Sequence, residues 1–218
     1  MNLTSLGCLG LWCLSLSLSA QTKPLYENNF EKVAVGKVPE DFLVLDGAFV
    51  VKEESDNRFL ELPGAPLDSF ALQFGPAVIS DVAVSARIRG TGKGRRYPTF
   101  GVGLNGIAGY RLQVSPAKKL LELYKDQEVE ATVPYDWASG QWATLRLQVR
   151  KIKDGGCKVE AKAWSQGQAE PQQWMISVDE KAEPLAGRSS VFGSPFSGTP
   201  IQFDDLILST VRPEKEKR

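Results

Sequence analysis

Short stretches in which apolar and polar residues alternate constrain the fold of this chain more than any other feature of its sequence. In four of them the apolar and polar residues separate clearly onto two faces: DVAVSARIR, GYRLQVS, QWATLRLQVRK and CKVEAKAW. Alternate side chains of a β-strand point to opposite sides, so each stretch predicts a strand with one buried face. Long helical periodicity is absent, and the stretches recur between clusters of Gly, Pro, Asn and Asp, which is typical of a sandwich or barrel.

The chain as a whole predicts about fourteen strands, enough for two packed antiparallel sheets. We place them at Leu25–Glu31, Phe49–Lys52, Arg58–Leu62, Phe70–Phe74, Asp81–Arg89, Thr99–Leu104, Tyr110–Val114, Leu120–Tyr124, Glu128–Val133, Trp142–Lys151, Cys157–Trp164, Trp174–Val178, Arg188–Phe192 and Ile201–Ser209. The predicted core faces of the four clearest strands are Val82, Val84, Ala86 and Ile88; Tyr110, Leu112 and Val114; Ala143, Leu145, Leu147 and Val149; and Cys157, Val159, Ala161 and Ala163.

The first twenty residues differ from the rest because they contain no charged side chain. They are too short and too rich in serine for a membrane span, and they end in Ser17, Ser19 and Ala20. We therefore predict a signal peptide at 1–20, one domain at 21–211 and a charged flexible tail at 212–218. The prediction implies a secreted or periplasmic protein with no transmembrane span in the mature chain.

Composition excludes several classes of function. The sequence contains no histidine, which removes Ser-His-Asp and Cys-His catalysis and histidine-ligated zinc. Its 26 basic and 26 acidic residues balance, and no basic stripe points to nucleic acid. After cleavage of the signal peptide Cys157 would be the one cysteine left, so no intrachain disulfide could form and we expect a buried thiol.

Three stretches, in this order, carry a resemblance to a known superfamily: LYENNFE, GYRLQV…KLLELYKDQEVEATVPYDWASGQWATLRLQV and GTPIQFDDLIL. The chain resembles the concanavalin A-like lectin/glucanase (laminin-G-like) jelly-roll superfamily, close to its secreted 3-keto-disaccharide hydrolase-like domains. The resemblance covers nearly the whole predicted domain. It implies an all-β fold, a two-sheet antiparallel jelly-roll sandwich of the concanavalin A-like type.

Two adjacent aspartates in QFDDLIL interrupt an apolar strand, which places one of them on the wrong face. In carbohydrate-binding modules that this chain resembles, an Asn-x-Phe-Glu-like first strand lies beside a terminal Asp-Asp strand and the two hold a structural calcium. The resemblance therefore implies a Ca²⁺ site formed by Glu27, Asn29, Glu31, Asp204 and Asp205, since calcium prefers oxygen ligands. The alternative is that one aspartate faces water and the other accepts hydrogen bonds from backbone or arginine.

The polar faces of the alternating strands are the candidate ligand surface. We predict that a polysaccharide or glycan binds to one face carrying Arg87, Arg111, Gln113, Arg146, Gln148 and Trp164. Arginine and glutamine would supply directional hydrogen bonds, and tryptophan would supply a platform for a sugar ring. The alternative is an ordinary solvated face. The rim loop RGTGKGRRYPTFG could contact an anionic sugar through Arg95 and Arg96, or be a solvated hairpin.

The favoured function is non-catalytic carbohydrate binding, and catalysis is the first alternative. A glycoside hydrolase or 3-keto-disaccharide hydrolase of the same fold would need a pair of carboxylates in its cleft. The nearest string is DQEVE, with Asp126, Glu128 and Glu130, but it follows a turn and we interpret it as an exposed hairpin. Glu122 faces opposite Leu121 and Leu123 as a single carboxylate. A structural or protein-interaction domain is the second alternative.

Overall fold

The computed structural model describes residues 24–64, 68–153 and 155–211. The predicted signal peptide and the charged tail lie outside these residues. The described residues form fifteen strands: β1 Pro24–Asn28, β2 Leu43–Asp46, β3 Val50–Glu54, β4 Asn57–Leu62, β5 Phe70–Val78, β6 Val82–Arg89, β7 Thr99–Leu104, β8 Tyr110–Ser115, β9 Leu120–Lys125, β10 Glu128–Pro134, β11 Trp142–Lys151, β12 Cys157–Ser165, β13 Ile176–Glu180, β14 Gly187–Ser194 and β15 Ile201–Thr210. Within the described ranges, no helix is long and apolar enough to cross a membrane.

The strands form two sheets that pack face to face. Sheet A has the order β13-β12-β11-β6-β15-β4-β3, with β1 also paired to β15, and sheet B has the order β10-β9-β8-β7-β14-β5-β2. Every strand pair is antiparallel. The predicted all-β, two-sheet antiparallel sandwich is therefore confirmed.

The core lies between the sheets, and the faces predicted from alternation are the ones that fill it. All fifteen of the predicted core residues on β6, β8, β11 and β12 are buried. The thiol of Cys157 is among them, 3.7 Å from the Tyr110 hydroxyl, and burial raises its pKa. The prediction of a buried thiol agrees with this position, and the protonated form that burial favours is a poor nucleophile.

Two elements differ from the prediction near the start of the chain. Strand β2 was not predicted because all four of its residues are exposed, so it has no buried face to create an alternating pattern. Strand β1 ends at Asn28 rather than Glu31. Phe30 adopts a positive φ of 61° and is buried, so the chain turns there to insert its ring into the core.

Candidate functional site

The outward face of sheet B has a floor of small residues at its centre. Phe100, Val102 and Leu104 of β7 point into the core, so the residues between them point outward. Most outward positions of the two central strands are small: Thr99, Gly101 and Gly103 on β7, and Ser190 and Ser194 on β14. Phe192 is the one large side chain on this floor, and it lies beside Gly101.

Larger polar side chains stand on both sides of that floor. The registers place one row of residues across six strands: Tyr124, Arg111, Gly103, Ser190, Gln73 and Leu43. Strands β8 and β9 thus form one wall and strands β5 and β2 the other. We call this surface the sheet B face. Ser190 on the floor and Gln73 beside it point outward and are nevertheless almost fully buried, because neighbouring side chains cover them.

Arg111 is the central cation of the sheet B face. Its guanidinium lies 5.2 Å from the ring centroid of Tyr124 and 5.6 Å from that of Phe192, so it packs against two aromatic rings. Its terminal nitrogen donates long hydrogen bonds to the Asp126 carbonyl, at 3.3 Å, and to Gln127, at 3.4 Å. Its Nε has no hydrogen-bond partner among the described residues. The side chain is oriented by packing, and its unpartnered Nε is itself buried.

Glu122 is the carboxylate of the same wall, and only 2% of it is exposed. It accepts hydrogen bonds from the Ser115 hydroxyl, from Lys118 Nζ at 2.9 Å, from Tyr124 Oη at 3.1 Å and from Gln113 Nε2 at 3.3 Å. Burial acts to raise its pKa, but the bonds from Ser115, Lys118 and Tyr124 and the Lys118 charge outweigh it, so the pKa is lowered. Glu122 is an ionised anchor that fixes Gln113 and Tyr124.

The six residues predicted to share one ligand face lie on two sheets. Arg111 and Gln113 lie on the sheet B face, and the other four lie on the outward face of sheet A: Arg87, Arg146, Gln148 and Trp164. The prediction of a single common face is therefore wrong. The two-residue period of a strand indicates which side chains face the core, but it does not indicate which sheet the strand joins. The chain crosses between the sheets after β6 and after β10.

The outward face of sheet A is occupied by its own ion pairs. Gln148 donates to Glu160 at 2.6 Å, and Arg146 and Lys162 both contact Glu170, at 3.4 Å and 2.8 Å. Two of its tryptophans are covered by cations: the Trp142 ring by Arg87 and Arg89, and the Trp174 ring by Lys162. Many of its polar groups thus bond to one another, although Arg146 Nε, like Arg111 Nε on the sheet B face, is buried without a hydrogen-bond partner among the described residues.

Sequence reasoning missed most of the sheet B face. The missed residues are Gly101, Gly103, Tyr124, Ser190 and Phe192, and Glu122 was noted only as an isolated carboxylate. A signal was present in the segment FGVGL, where both glycines fall on the polar side of an alternating strand. Two outward glycines, one residue apart, remove side chains from the middle of the sheet, and the Phe192 ring and the Ser190 hydroxyl occupy the positions that their Cβ atoms would take.

The aspartate pair in β15 forms an internal ion-pair cluster. Asp204 is 1% exposed and accepts hydrogen bonds from Arg87 at 2.6 Å, from Asn57 at 3.2 Å and from the backbone N–H of Asp205 at 2.8 Å. Asp205 has a φ of 47° at a β-bulge, its side chain is 43% exposed, and it contacts Arg87 Nε at 2.7 Å. Burial and the Asp205 charge raise the pKa of Asp204, against the lowering effect of its three donors.

These contacts do not fit the predicted calcium site. The guanidinium of Arg87 stands where a cation would have to bind the two aspartates. Because β1 ends at Asn28, Asn29 and Glu31 do not continue the face of Glu27 as alternation requires. No group of three or more His, Cys, Asp or Glu residues in 24–64, 68–153 and 155–211 could hold a metal ion. The arrangement matches the alternative of backbone and arginine hydrogen bonds.

We therefore expect calcium to leave the stability of the protein unchanged. After chelation, adding about 1 mM Ca²⁺ should shift the melting temperature by less than about 1 °C, because a ligand stabilises the fold only if it binds the native state. Differential scanning calorimetry measures this, with Mg²⁺ as the matched control ion. A Ca²⁺-specific rise that Asp204→Asn removes would restore the calcium prediction.

The carboxylates of DQEVE are where the sequence placed them, on an exposed hairpin. Glu128 and Glu130 are exposed on β10, which is an edge strand of sheet B. Asp126 has a positive φ of 54° in the turn that precedes β10. These residues do not face the floor of the sheet B face.

Comparisons with known proteins identify the type of fold. No protein-family model and no curated protein matches the sequence. Among solved structures, the chain is similar to the carbohydrate binding module CBM66 from Bacillus subtilis, with a TM-score of 0.53 and 11% identity over 78% of this chain and 96% of that one. It is also similar to the Emp46p carbohydrate recognition domain in its potassium-bound form, with a TM-score of 0.56 and 13% identity over 88% and 100%.

A third similar structure is the exoplasmic/lumenal domain of VIP36 in its Ca²⁺/Man3GlcNAc-bound form, with a TM-score of 0.54 and 10% identity over 83% of this chain and 88% of that one. At such low identities these likenesses establish the fold alone. They support a lectin-like β-sandwich and do not single out the concanavalin A-like (laminin-G-like) superfamily that the sequence resembles.

Proposed function

We propose that this protein is a non-catalytic carbohydrate-binding domain and that a glycan binds across the sheet B face. The observation that carries the proposal is the shielded floor of Gly101, Gly103 and Ser190 beside the oriented guanidinium of Arg111. Binding sites are recesses in which a few polar groups are fixed in position. The planar groups of Arg111 and Gln113 suit pairs of sugar hydroxyls, and the Tyr124 ring offers an apolar surface.

The fold of the similar structures supports the same proposal. Their printed names describe carbohydrate binding modules and carbohydrate recognition domains, one of them with a bound glycan. A hydrolase of the same fold is less well supported, because glycoside hydrolysis needs two carboxyl groups about 5–10 Å apart. The outward positions of β9, β8, β7 and β14 provide one carboxylate, Glu122, and four donors already hold it.

The proposed location is outside the cytoplasm, either secreted or periplasmic. It rests on the uncharged segment at 1–20, which has the composition of a signal peptide. Glycans of the cell surface or the surroundings would then be within reach of the protein.

A glycan array probed with the purified protein and two variants tests both the function and the face. We expect selective binding to a limited set of glycans, weakened at least about tenfold, or ~1.4 kcal/mol, by Arg111→Ala. Trp164→Ala, on the outward face of sheet A, should change the affinity less than about twofold. Arg111→Lys keeps the charge but loses the planar guanidinium group, and it should lose most of the affinity as well.

The opposite effect of the two alanine variants on glycan binding would place the binding site on the other sheet. If Trp164→Ala abolished binding and Arg111→Ala did not, the glycan would bind to sheet A, where four of the six predicted residues lie. Binding to no glycan would contradict the proposed function, and a structural or protein-interaction role would then take its place.

A further inference from the structure

Four chain segments are hydrogen-bonded to one another at one end of the sandwich: 90–98, 116–119, 135–141 and 195–200. The Tyr135 N–H donates to the Lys119 carbonyl at 3.0 Å, and Thr199 Oγ1 donates to the Thr91 carbonyl at 2.6 Å. Together these segments contain five cations and one carboxylate: Lys93, Arg95, Arg96, Lys118 and Lys119, against Asp136. The chain as a whole has a formal net charge of zero, so positive charge is concentrated here. We call this part of the molecule the basic end.

Three of the five cations of the basic end, Lys93, Arg95 and Arg96, stand on an ordered hairpin rather than on a loose loop. Lys93 and Arg96 exchange backbone hydrogen bonds of 2.9 and 3.1 Å, and Gly94 supplies the positive φ of 63° that the turn between them needs. The hairpin is attached to the neighbouring loop through the Gly92 N–H, which donates to Ser139 Oγ at 2.8 Å. Arg95 is therefore presented at the tip of a fixed turn.

These cations also lack the partners that cations elsewhere in the protein have. Many basic side chains of the described strands form ion pairs, as Arg87, Arg146 and Lys158 do. At the basic end only Lys118 does, with Glu122. Counting all described residues, the side chains of Lys93, Arg95, Arg96 and Lys119 have no hydrogen-bond or ion-pair partner. Like charges held close together repel one another, and an anion that binds between them relieves the repulsion.

The basic end adjoins the sheet B face and carries exposed aromatic rings. Strand β7 begins at Thr99, directly after the hairpin segment, and strand β8 ends at Ser115, directly before the segment 116–119 that contains Lys118 and Lys119. Tyr97 is 37% exposed and Phe196 is 38% exposed, both within the same four segments. A ligand that lies along the sheet B face would thus reach the cations and two ring surfaces at this end.

We propose that the basic end recognises the carboxylate or sulfate groups of an anionic polysaccharide whose sugar rings lie along the sheet B face. The inference rests on the proposed glycan binding and narrows its ligand to acidic glycans. The hairpin cations supply charge-assisted hydrogen bonds to the acidic groups, and the neutral groups of the sheet B face contact the rings. Both uronic acids and sulfate esters share this chemistry.

Two matched pairs of immobilised polysaccharides test the inference: polygalacturonate against its methyl-esterified form, and dextran sulfate against dextran. Biolayer interferometry with the purified protein should show tighter binding to at least one anionic member than to its neutral partner. Added salt should weaken that binding, since exposed charges are screened over about 10 Å at 0.1 M. Preference for polygalacturonate would identify carboxylates, and preference for dextran sulfate would identify sulfate esters.

The variant Arg95→Ala/Arg96→Ala should weaken binding to the anionic member about tenfold and remove most of its salt dependence. Lys32→Ala/Lys37→Ala removes the same charge from exposed positions between β1 and β2, and it should change binding less than about twofold. Equal effects of the two double variants would overturn the inference, because net charge alone would then explain binding.

Failure of the inference is distinguishable from failure of the proposed function. Equal affinity for neutral and anionic polysaccharides, with binding still lost in Arg111→Ala, would overturn the acidic specificity and leave glycan binding on the sheet B face intact. Loss of binding in the hairpin variant without any loss in Arg111→Ala would contradict the role of the sheet B face. Absence of binding to every glycan, on the array as well as in these pairs, would overturn both proposals.

Discussion

Asp204→Ala is expected to lower the free energy of unfolding by about 3 kcal/mol, which is in the range for breaking a buried ion pair by removal of one partner. The substitution leaves three donors without their acceptor in a region that water hardly reaches: Arg87, Asn57 and the N–H of Asp205. Arg87 is 28% exposed in its side chain and keeps Asp205, so we place the loss at the lower end of that range. Urea unfolding followed by tryptophan fluorescence measures it.

Two further variants identify the origin of that loss. Asp204→Asn keeps the volume and one acceptor oxygen but loses the charge, so it should cost about half as much. Asp205→Asn removes a half-exposed carboxylate, and asparagine tolerates the positive φ of this position, so the cost should stay within about 1 kcal/mol. If Asp205→Asn destabilised the protein as much as Asp204→Ala, the burial of Asp204 would not be the cause.

Most of the fold could be predicted from the sequence because burial imposes the pattern that sequence reasoning detects. Strands such as β6 and β11 have one face in the core, and their apolar residues recur at every second position. Prediction from alternation fails where the burial of residues does not follow the two-residue period of a strand. Strand β2 is exposed along its whole length, and Phe30 continues an alternating pattern although its backbone has left the strand.

The candidate site could be predicted only in part. Arg111 and Gln113 were identified because they are polar residues on a strand with a buried face. Their grouping with Arg87 and Arg146 was wrong, because the face that a residue occupies depends on the sheet that its strand joins. The sheet is determined by pairing between strands, which alternation within one strand does not reveal. The floor was missed for another reason: glycine and serine carry little chemistry of their own, and they matter here because their neighbours pack closely against them.

The glycine of that floor next to Phe192 is a position where we expect a large steric effect. A Cβ at Gly101 would overlap the backbone carbonyl of Leu112 and lie 2.6 Å from Phe192 Cζ. The φ of Gly101 is not positive, so alanine can adopt the backbone conformation and the cost is one of space. A carbonyl in the neighbouring strand cannot move without separating β7 from β8. Gly101→Ala should therefore lower the free energy of unfolding by about 3 kcal/mol, at the upper end for overpacked sites.

Gly103→Ala provides the matched control on the same strand and the same face. There the overlapping atom is Oγ of Ser190, and the nearest backbone oxygen, of Tyr110, is 3.3 Å away. We expect Gly103→Ala to lower the free energy of unfolding by about 1 kcal/mol. Adding Ser190→Ala should recover that stability in the double variant, whereas Ser190→Ala should not recover the stability lost in Gly101→Ala. Circular dichroism and urea unfolding of the four variants measure these differences. Equal losses at both glycines, or rescue of both by Ser190→Ala, would show that the Leu112 carbonyl is not what requires glycine at position 101.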